Sequence, residues 1–418
     1  MQQPPVRART ILRKTRISAA VLLVAAITSA CEAQSARTAT PARVDSIPFA
    51  LEESRIYVPV RDSVHSLGWF ILDTGAQPSG VDAAVAQLWR ATPLDSMLST
   101  GAGGGRTRSF TIRGRPLAVG NVPFETRTLY VTPYDTLLGA VSGRVVSGII
   151  GSAFFYQHDV TIDFDRRMLF VRPPGTSTPA TGAITLPFTL RSDVPFSVGT
   201  LRLPDGRVID ANYLIDLGAK ATVLFGEPFL RRTGVDSALT GPSFVAPLGA
   251  GVGGRTRYRF TRVPEITIGS DATLRWNDLV VGLSVGGTIA SSYFDGLFGL
   301  DMLLRYTPTF DYKRSRLILV PRARPPASSE IDLSGLFLLE ERTPRAVRTS
   351  AIVDSSPASD ANMAVGDELL EIDGHATATM TLAQIRDVLR SEPGRRIAVK
   401  LRRGSSVLEK VIVLRKMA

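Results

Sequence analysis

Two acidic turns hold the residues of this chain best suited to chemistry. Asp73 ends the apolar run Phe70-Ile71-Leu72 and is followed by Thr74-Gly75-Ala76; Asp216 ends Tyr213-Leu214-Ile215 and is followed by Leu217-Gly218-Ala219. In each, an apolar strand runs into a carboxylate, and the glycine two places on allows a turn that a Cβ obstructs. Two carboxyls brought within a few ångströms cannot both ionise cheaply. At ~4 Å and an effective dielectric of 20, like charges repel by about 4 kcal/mol, so one proton stays between them. The ionised member then takes a proton from a bridging water, and the protonated member donates to a carbonyl oxygen. That is the chemistry of amide hydrolysis through a tetrahedral intermediate, with no metal, cofactor or covalent adduct.

Such a pair needs two equivalent supports, and the sequence repeats itself in the required way. Gly148–Val171 and Gly296–Val320 both run apolar-apolar-Gly, an apolar stretch, an Asp-aromatic turn and an alternating strand. Upstream, the glycine cluster Gly101–Phe110 is echoed by Gly249–Phe260, and the two Asp-Xaa-Gly turns form a third pair in the same order. Two homologous lobes are expected, residues 47–172 and 183–321, joined by the Pro/Gly/Thr linker 172–182. Within them, residues 55–60 and 68–72 read as strands and 81–88 as a short helix. Frequent turn signals between short strands indicate mainly β lobes, not a βαβ series. If the lobes pack about a pseudo-twofold axis, Asp73 and Asp216 meet across it.

The segment Phe70-Ile71-Leu72-Asp73-Thr74-Gly75-Ala76, followed by Ile149-Ile150-Gly151, resembles the active-site pair of the pepsin and retropepsin-like aspartic proteases. The second lobe repeats it with Asp216, Leu297, Phe298 and Gly299. The resemblance covers about 270 residues and implies an aspartic endopeptidase with Asp73 and Asp216 catalytic. It also implies that Thr74, Gly75, Gly218, Ile150, Gly151, Phe298 and Gly299 support the loops. The hairpins bearing Gly103, Gly104 and Gly105, and Gly251, Gly253 and Gly254, would be substrate-covering flaps. The family has Thr or Ser where Leu217 stands, so one side of a cross-lobe hydroxyl grip is missing. Two rival expectations follow: a non-catalytic peptide-binding envelope protein with a degenerate second lobe, or a protease pairing Asp73 with Asp73 of a second copy.

A third region, 330–418, has strand patterns at 351–353, 368–372, 396–402 and 407–414. The tight-turn dipeptide Asp373-Gly374 follows the second, and a capping box at Thr381 opens a helix. Its order and spacing resemble a bacterial PDZ domain, a small α+β module that binds extended peptides by strand addition. The resemblance makes Gly335, Leu336, Phe337 and Leu338 the peptide-binding loop and 381–390 the groove wall. The family prefers Gly where Phe337 stands.

Other chemistries find little support. Formal charge is +11, but five positives precede residue 30, and the remaining +6 is scattered. Arg outnumbers Lys 43 to 6 without forming a basic stripe, so nucleic acid is not an expected partner. One Cys and three well-separated His residues exclude a disulfide framework and a Cys/His zinc motif. Gly249–Gly254 imitates a dinucleotide fingerprint, yet the alternating residues after it read as strand rather than helix. Asp163, Asp165 and Asp311 read as solvated turn acids, His158 as packed or surface, and His375 as exposed.

Residues 1–34 read as an export signal: a basic start, an apolar run over 17–30 and small residues at its end. Cys31 follows Ala30 immediately, resembling a lipobox whose cysteine is lipidated, with 35–46 as a tether. The expectation is a monomeric, mainly β envelope or periplasmic lipoprotein with a polypeptide substrate, a possible peptide ligand for its PDZ domain and no cofactor.

Overall fold

The computed structural model describes residues 43–99, 105–251, 254–285, 294–325 and 332–418. Cys31, Gly103, Gly104 and Gly253 lie outside the described residues, as does the whole expected signal.

The repeat seen in sequence is a repeat of topology. In the first lobe, six strands lie in the order Thr107–Arg113, Thr128–Val131, Gly80–Val81, Gly148–Ile150, Ser66–Leu72 and Arg55–Arg61. In the second, the same order runs Gly254–Ile268, Leu274–Ser284, Val223–Phe225, Gly296–Gly299, Val208–Asp216 and Val194–Arg202. Each Asp-bearing strand pairs in parallel with the apolar-apolar-Gly strand, Leu72 opposite Ile150 and Asp216 opposite Gly299. Strands buried on both faces read as continuous apolar runs, which is why these segments lack alternation.

A six-stranded sheet joins the lobes at the midline, three strands from each half. Asp159–Asp163 and Tyr306–Asp311 form its antiparallel seam, Val160 opposite Phe310 and Thr161 opposite Thr309. The two threonine hydroxyls meet there at 2.8 Å. Residues from both lobes and this sheet form one apolar core that includes Phe155, Leu217, Phe298 and Phe310.

Local expectations hold with adjustments. Residues 81–88 divide into the strand Gly80–Val81 and the helix Ala83–Leu88, because Asp82 caps the helix by accepting from Ala84 N. Asp311 corrects the expectation of a solvated turn acid. It is fully buried, accepting from Arg316 Nε at 2.9 Å and from Arg314 N at 3.0 Å. Part of the linker is pinned to the first lobe, since buried Asp159 accepts from Gly175 N, Thr176 N and Ser177 N.

The C-terminal domain has its own core beneath the helix Leu382–Leu389. Thr381 and Gln384 close the expected capping box. Strands Glu368–Ile372, Arg396–Arg403 and Ser406–Val413 match the pattern read from sequence. The segment expected as a loop becomes strand from its second residue: Leu336–Arg342 is the sheet edge, paired with Arg345–Ile352.

Candidate active site

Both Asp-Xaa-Gly turns open at the ends of their strands, facing each other across the midline. Asp73 Oδ1 accepts from Gly75 N at 2.8 Å, and Asp216 Oδ1 accepts from Gly218 N at 2.7 Å. The two side chains hydrogen-bond each other. Space, rather than backbone conformation, explains the glycines. A Cβ on Gly75 would lie 2.8 Å from Asp216 Cγ, and one on Gly218 closer still to Asp73 Cγ. A Cβ at Gly151 or Gly299 would likewise collide with the carbonyl of Ala76 or Ala221. The apolar-apolar-Gly pattern is therefore a packing requirement of the acidic turns. Ile150 O also receives Asp73 N at 2.9 Å, and Phe298 is wholly buried behind the second turn.

Thr74 is fully buried and spans the junction: its hydroxyl donates to Ile215 O at 2.8 Å and accepts from Leu217 N at 3.0 Å. Leu217, where the resemblance asks for a hydroxyl, is itself fully buried in the shared core. One half of the grip is thus polar and the other apolar.

Burial pushes both carboxyls up from their ordinary range. Asp216 is raised furthest, because the neighbouring Asp73 charge adds to desolvation. Asp73 is raised less, since the hydrogen bond from Asp216 and backbone donors favour its ionised form. The pair therefore shares one proton.

The turns form part of the lining of a cavity of about 610 Å³. Both glycine-rich hairpins reach it, the first through Met97, Leu98 and Ser99 and the second through Pro247, Thr256 and Tyr258. Gly251 and Gly254 pair at the second hairpin's end, while Gly105 is exposed beside the first. The same cavity is lined by Leu336, Phe337, Leu338, Ser350, Arg386 and Arg390 of the C-terminal domain.

Residues 348–403 match the PDZ domain family. The C-terminal module is a PDZ domain. An aspartic proteinase from Irpex lacteus superposes with a TM-score of 0.41 and 14% identity, covering 69% of this chain and 100% of its own. Basic 7S globulin from soybean superposes with a TM-score of 0.37 and 11% identity, covering 67% of this chain and 95% of its own. No curated protein matches the chain.

The expected peptide-binding loop of the PDZ domain is engaged by the chain itself. Ser334 N and Gly335 N donate to the Asp332 carboxylate, and Leu336 N donates to Ser334 Oγ. Gly335 has φ +72°, which suits glycine, and a Cβ there would strike Ser356. The side chain of Phe337 packs with Val353 against a second-lobe cluster containing Phe244 and Tyr258. The edge strand meets first-lobe residues 140–142, and Arg386 donates to Leu338 O at 2.6 Å.

Sequence reasoning missed a buried ion cluster beside the dyad. Glu53 of the first lobe accepts from Lys220 of the second lobe at 2.8 Å and from Arg386 of the PDZ helix, both on Oε2. Attraction to the two cations outweighs burial and holds Glu53 down at about 2. Burial lowers Lys220 to about 8 despite Glu53. The available signal was that Lys220, one of six lysines in an arginine-rich chain, stands four places after Asp216.

Proposed function

We propose that the protein is an exported aspartic endopeptidase whose lobes share one cleft. The PDZ domain forms a wall of that cleft and presents polypeptide to it. The observation that carries this reading is the hydrogen-bonded pair of Asp73 and Asp216, both raised by burial and held together by Thr74 across the junction. In the resting pair, Asp216 holds the proton and Asp73 is ionised. Water attacks the scissile carbonyl carbon as Asp73 takes its proton and Asp216 gives its own to the carbonyl oxygen. As Asp73 protonates the leaving nitrogen, the tetrahedral diol collapses, returning a proton to Asp216 and breaking the C–N bond, which restores the starting state. The flap hairpins cover the substrate. Cys31 carries the lipid that anchors the chain at the cell envelope, and Cys31→Ser moves the protein from the membrane to the soluble fraction.

The test is Asp73→Asn, which keeps the shape of the side chain and removes the base. Peptide hydrolysis falls by at least about a thousandfold, within the range for losing a general base, while the circular dichroism spectrum is unchanged. Hydrolysis retained in a folded Asp73→Asn protein overturns the reading.

A further inference from the structure

Arginines scattered along the sequence gather at one end of the first lobe. Arg61 Nε donates to Gly120 O at 3.0 Å. The next residue, Asp62, accepts from Val64 N, His65 N and Trp89 Nε1, which ties this turn to the segment carrying Arg90. The Arg115 guanidinium lies over the Trp89 ring at 5.0 Å, and Gly114 N donates to Arg127 O at 2.8 Å. Arg113 stands opposite Thr128 in the adjoining ladder. All five arginines are exposed, and among the described residues none has an ion-pair partner. Three acids share these segments: Asp62, engaged by its internal donors, and the exposed Asp95 and Glu125. Apolar tips stand on the same turn and segment, Val64 being 79% exposed, Leu88 50% and Leu94 57%.

The root of the described chain is close by. Ile47 packs against Gly120, the residue that Arg61 binds, and the pair of Arg43 with Asp45 leaves this root neutral. Twelve residues link Cys31 to Arg43, a reach of at most ~43 Å.

We propose that this end of the first lobe docks on an anionic phospholipid surface. The arginines meet lipid phosphates, and Val64, Leu88 and Leu94 shed water among the headgroups. Charge mixed with exposed aliphatic tips favours a membrane over nucleic acid, whose single strands are held by stacking aromatic side chains. None of these residues lines the dyad's cavity, so docking leaves the lining of the cleft untouched. The surface needs neither the lipid nor catalysis; an anchor at Cys31 only supplies proximity.

The chain from Glu32 onward, which keeps every described residue and carries no lipid, is sedimented with two sets of vesicles. One is phosphatidylcholine alone, and the other carries roughly one third phosphatidylglycerol. An excess of two cations, each contributing roughly fivefold at an anionic surface, predicts about a twenty-five-fold preference for the second set. The preference should vanish in about 1 M salt, where the screening length is ~3 Å. Combining Arg90→Glu, Arg115→Glu and Arg127→Glu should abolish it. Combining Arg191→Glu, Arg324→Glu and Arg396→Glu, at exposed arginines outside the first lobe, changes net charge equally and should keep it. Circular dichroism checks the fold of both triple variants. Equal binding to the two sets, or none to either, overturns the proposal. So does an equal loss in both triple variants, which reduces the effect to net charge. Tighter binding of soluble polyglutamate or duplex DNA than of anionic vesicles overturns it as well. Peptide cleavage is measured separately, so a failed membrane test leaves the protease reading intact.

Discussion

Thr74 links the two acidic turns with a single hydroxyl, donating to one backbone group and accepting from another of the opposite lobe. Thr74→Val leaves both partners buried without it, and a loss of about 2–3 kcal/mol is expected, with Thr74→Ser recovering most of it. Urea unfolding of the three proteins checks the order. Leu217→Thr is expected to destabilise by about 2 kcal/mol, since it removes buried methyl groups and adds a hydroxyl to an apolar core. The dyad's titration sets the pH response. Activity needs one proton on the pair, so kcat/KM falls as pH rises through the pair's raised second titration, and falls again in acid as its remaining carboxylate protonates. A pH–rate profile with only one limb contradicts this. Glu53 acts oppositely on stability. Held at about 2 against an ordinary 4.5, it contributes about 3 kcal/mol above pH 4.5 that is lost as pH falls through about 2. Lys220, lowered from 10.5 to about 8, carries a similar cost below pH 8 that is relieved as pH rises toward 10.5. Arg386 is lowered by burial as well, so the cluster fixes geometry more than it adds stability. Removing one partner is different. Glu53→Gln leaves Lys220 and Arg386 without their acid and is expected to cost about 3 kcal/mol, more than Lys220→Met, as thermal melts should show.

At the level of elements, strand ends and glycines carry the site. Gly218→Ala drives a methyl group into the Asp73 carboxyl, so a large loss of kcat is expected with the secondary structure kept, read by steady-state kinetics and circular dichroism. This part was legible in the sequence, because an apolar strand, an acid and a glycine are neighbours along the chain and recur in both halves. The capping box at Thr381 and the turn at Asp373-Gly374 were legible for the same reason. What stayed hidden depends on distant partners. Arg386 reaches an acid 333 positions away, and nothing near it in sequence announces that contact. Asp311 looked like a surface turn until Arg316 covered it. Residues 135–142 offered no periodic signal, because they wind as the π-helical turn Asp135–Gly139 followed by Ala140–Ser142. That segment nevertheless anchors the PDZ domain, through Asp135 with Arg342 and through Val141 O with Arg386.

For the whole molecule, the shared midline sheet and common core make the two lobes one cooperative body. Calorimetry should record a single transition for the pair, not two. The PDZ domain is fastened to that body by the Glu53 cluster and by Phe337. Phe337→Gly, which restores the residue favoured by the PDZ family, should loosen this docking by about 2 kcal/mol. Hydrogen exchange should rise at the domain junction and not in the PDZ core. The sheet seam has a consequence for the separated halves. Strand Asp159–Asp163 owes its covered flank to the other half of the molecule, so a fragment ending at residue 172 presents a bare row of backbone donors and acceptors. The best-fitting cover for that row is a twin of the fragment. In such a twinned assembly Thr161 meets Thr161, and Asp73 faces its own counterpart.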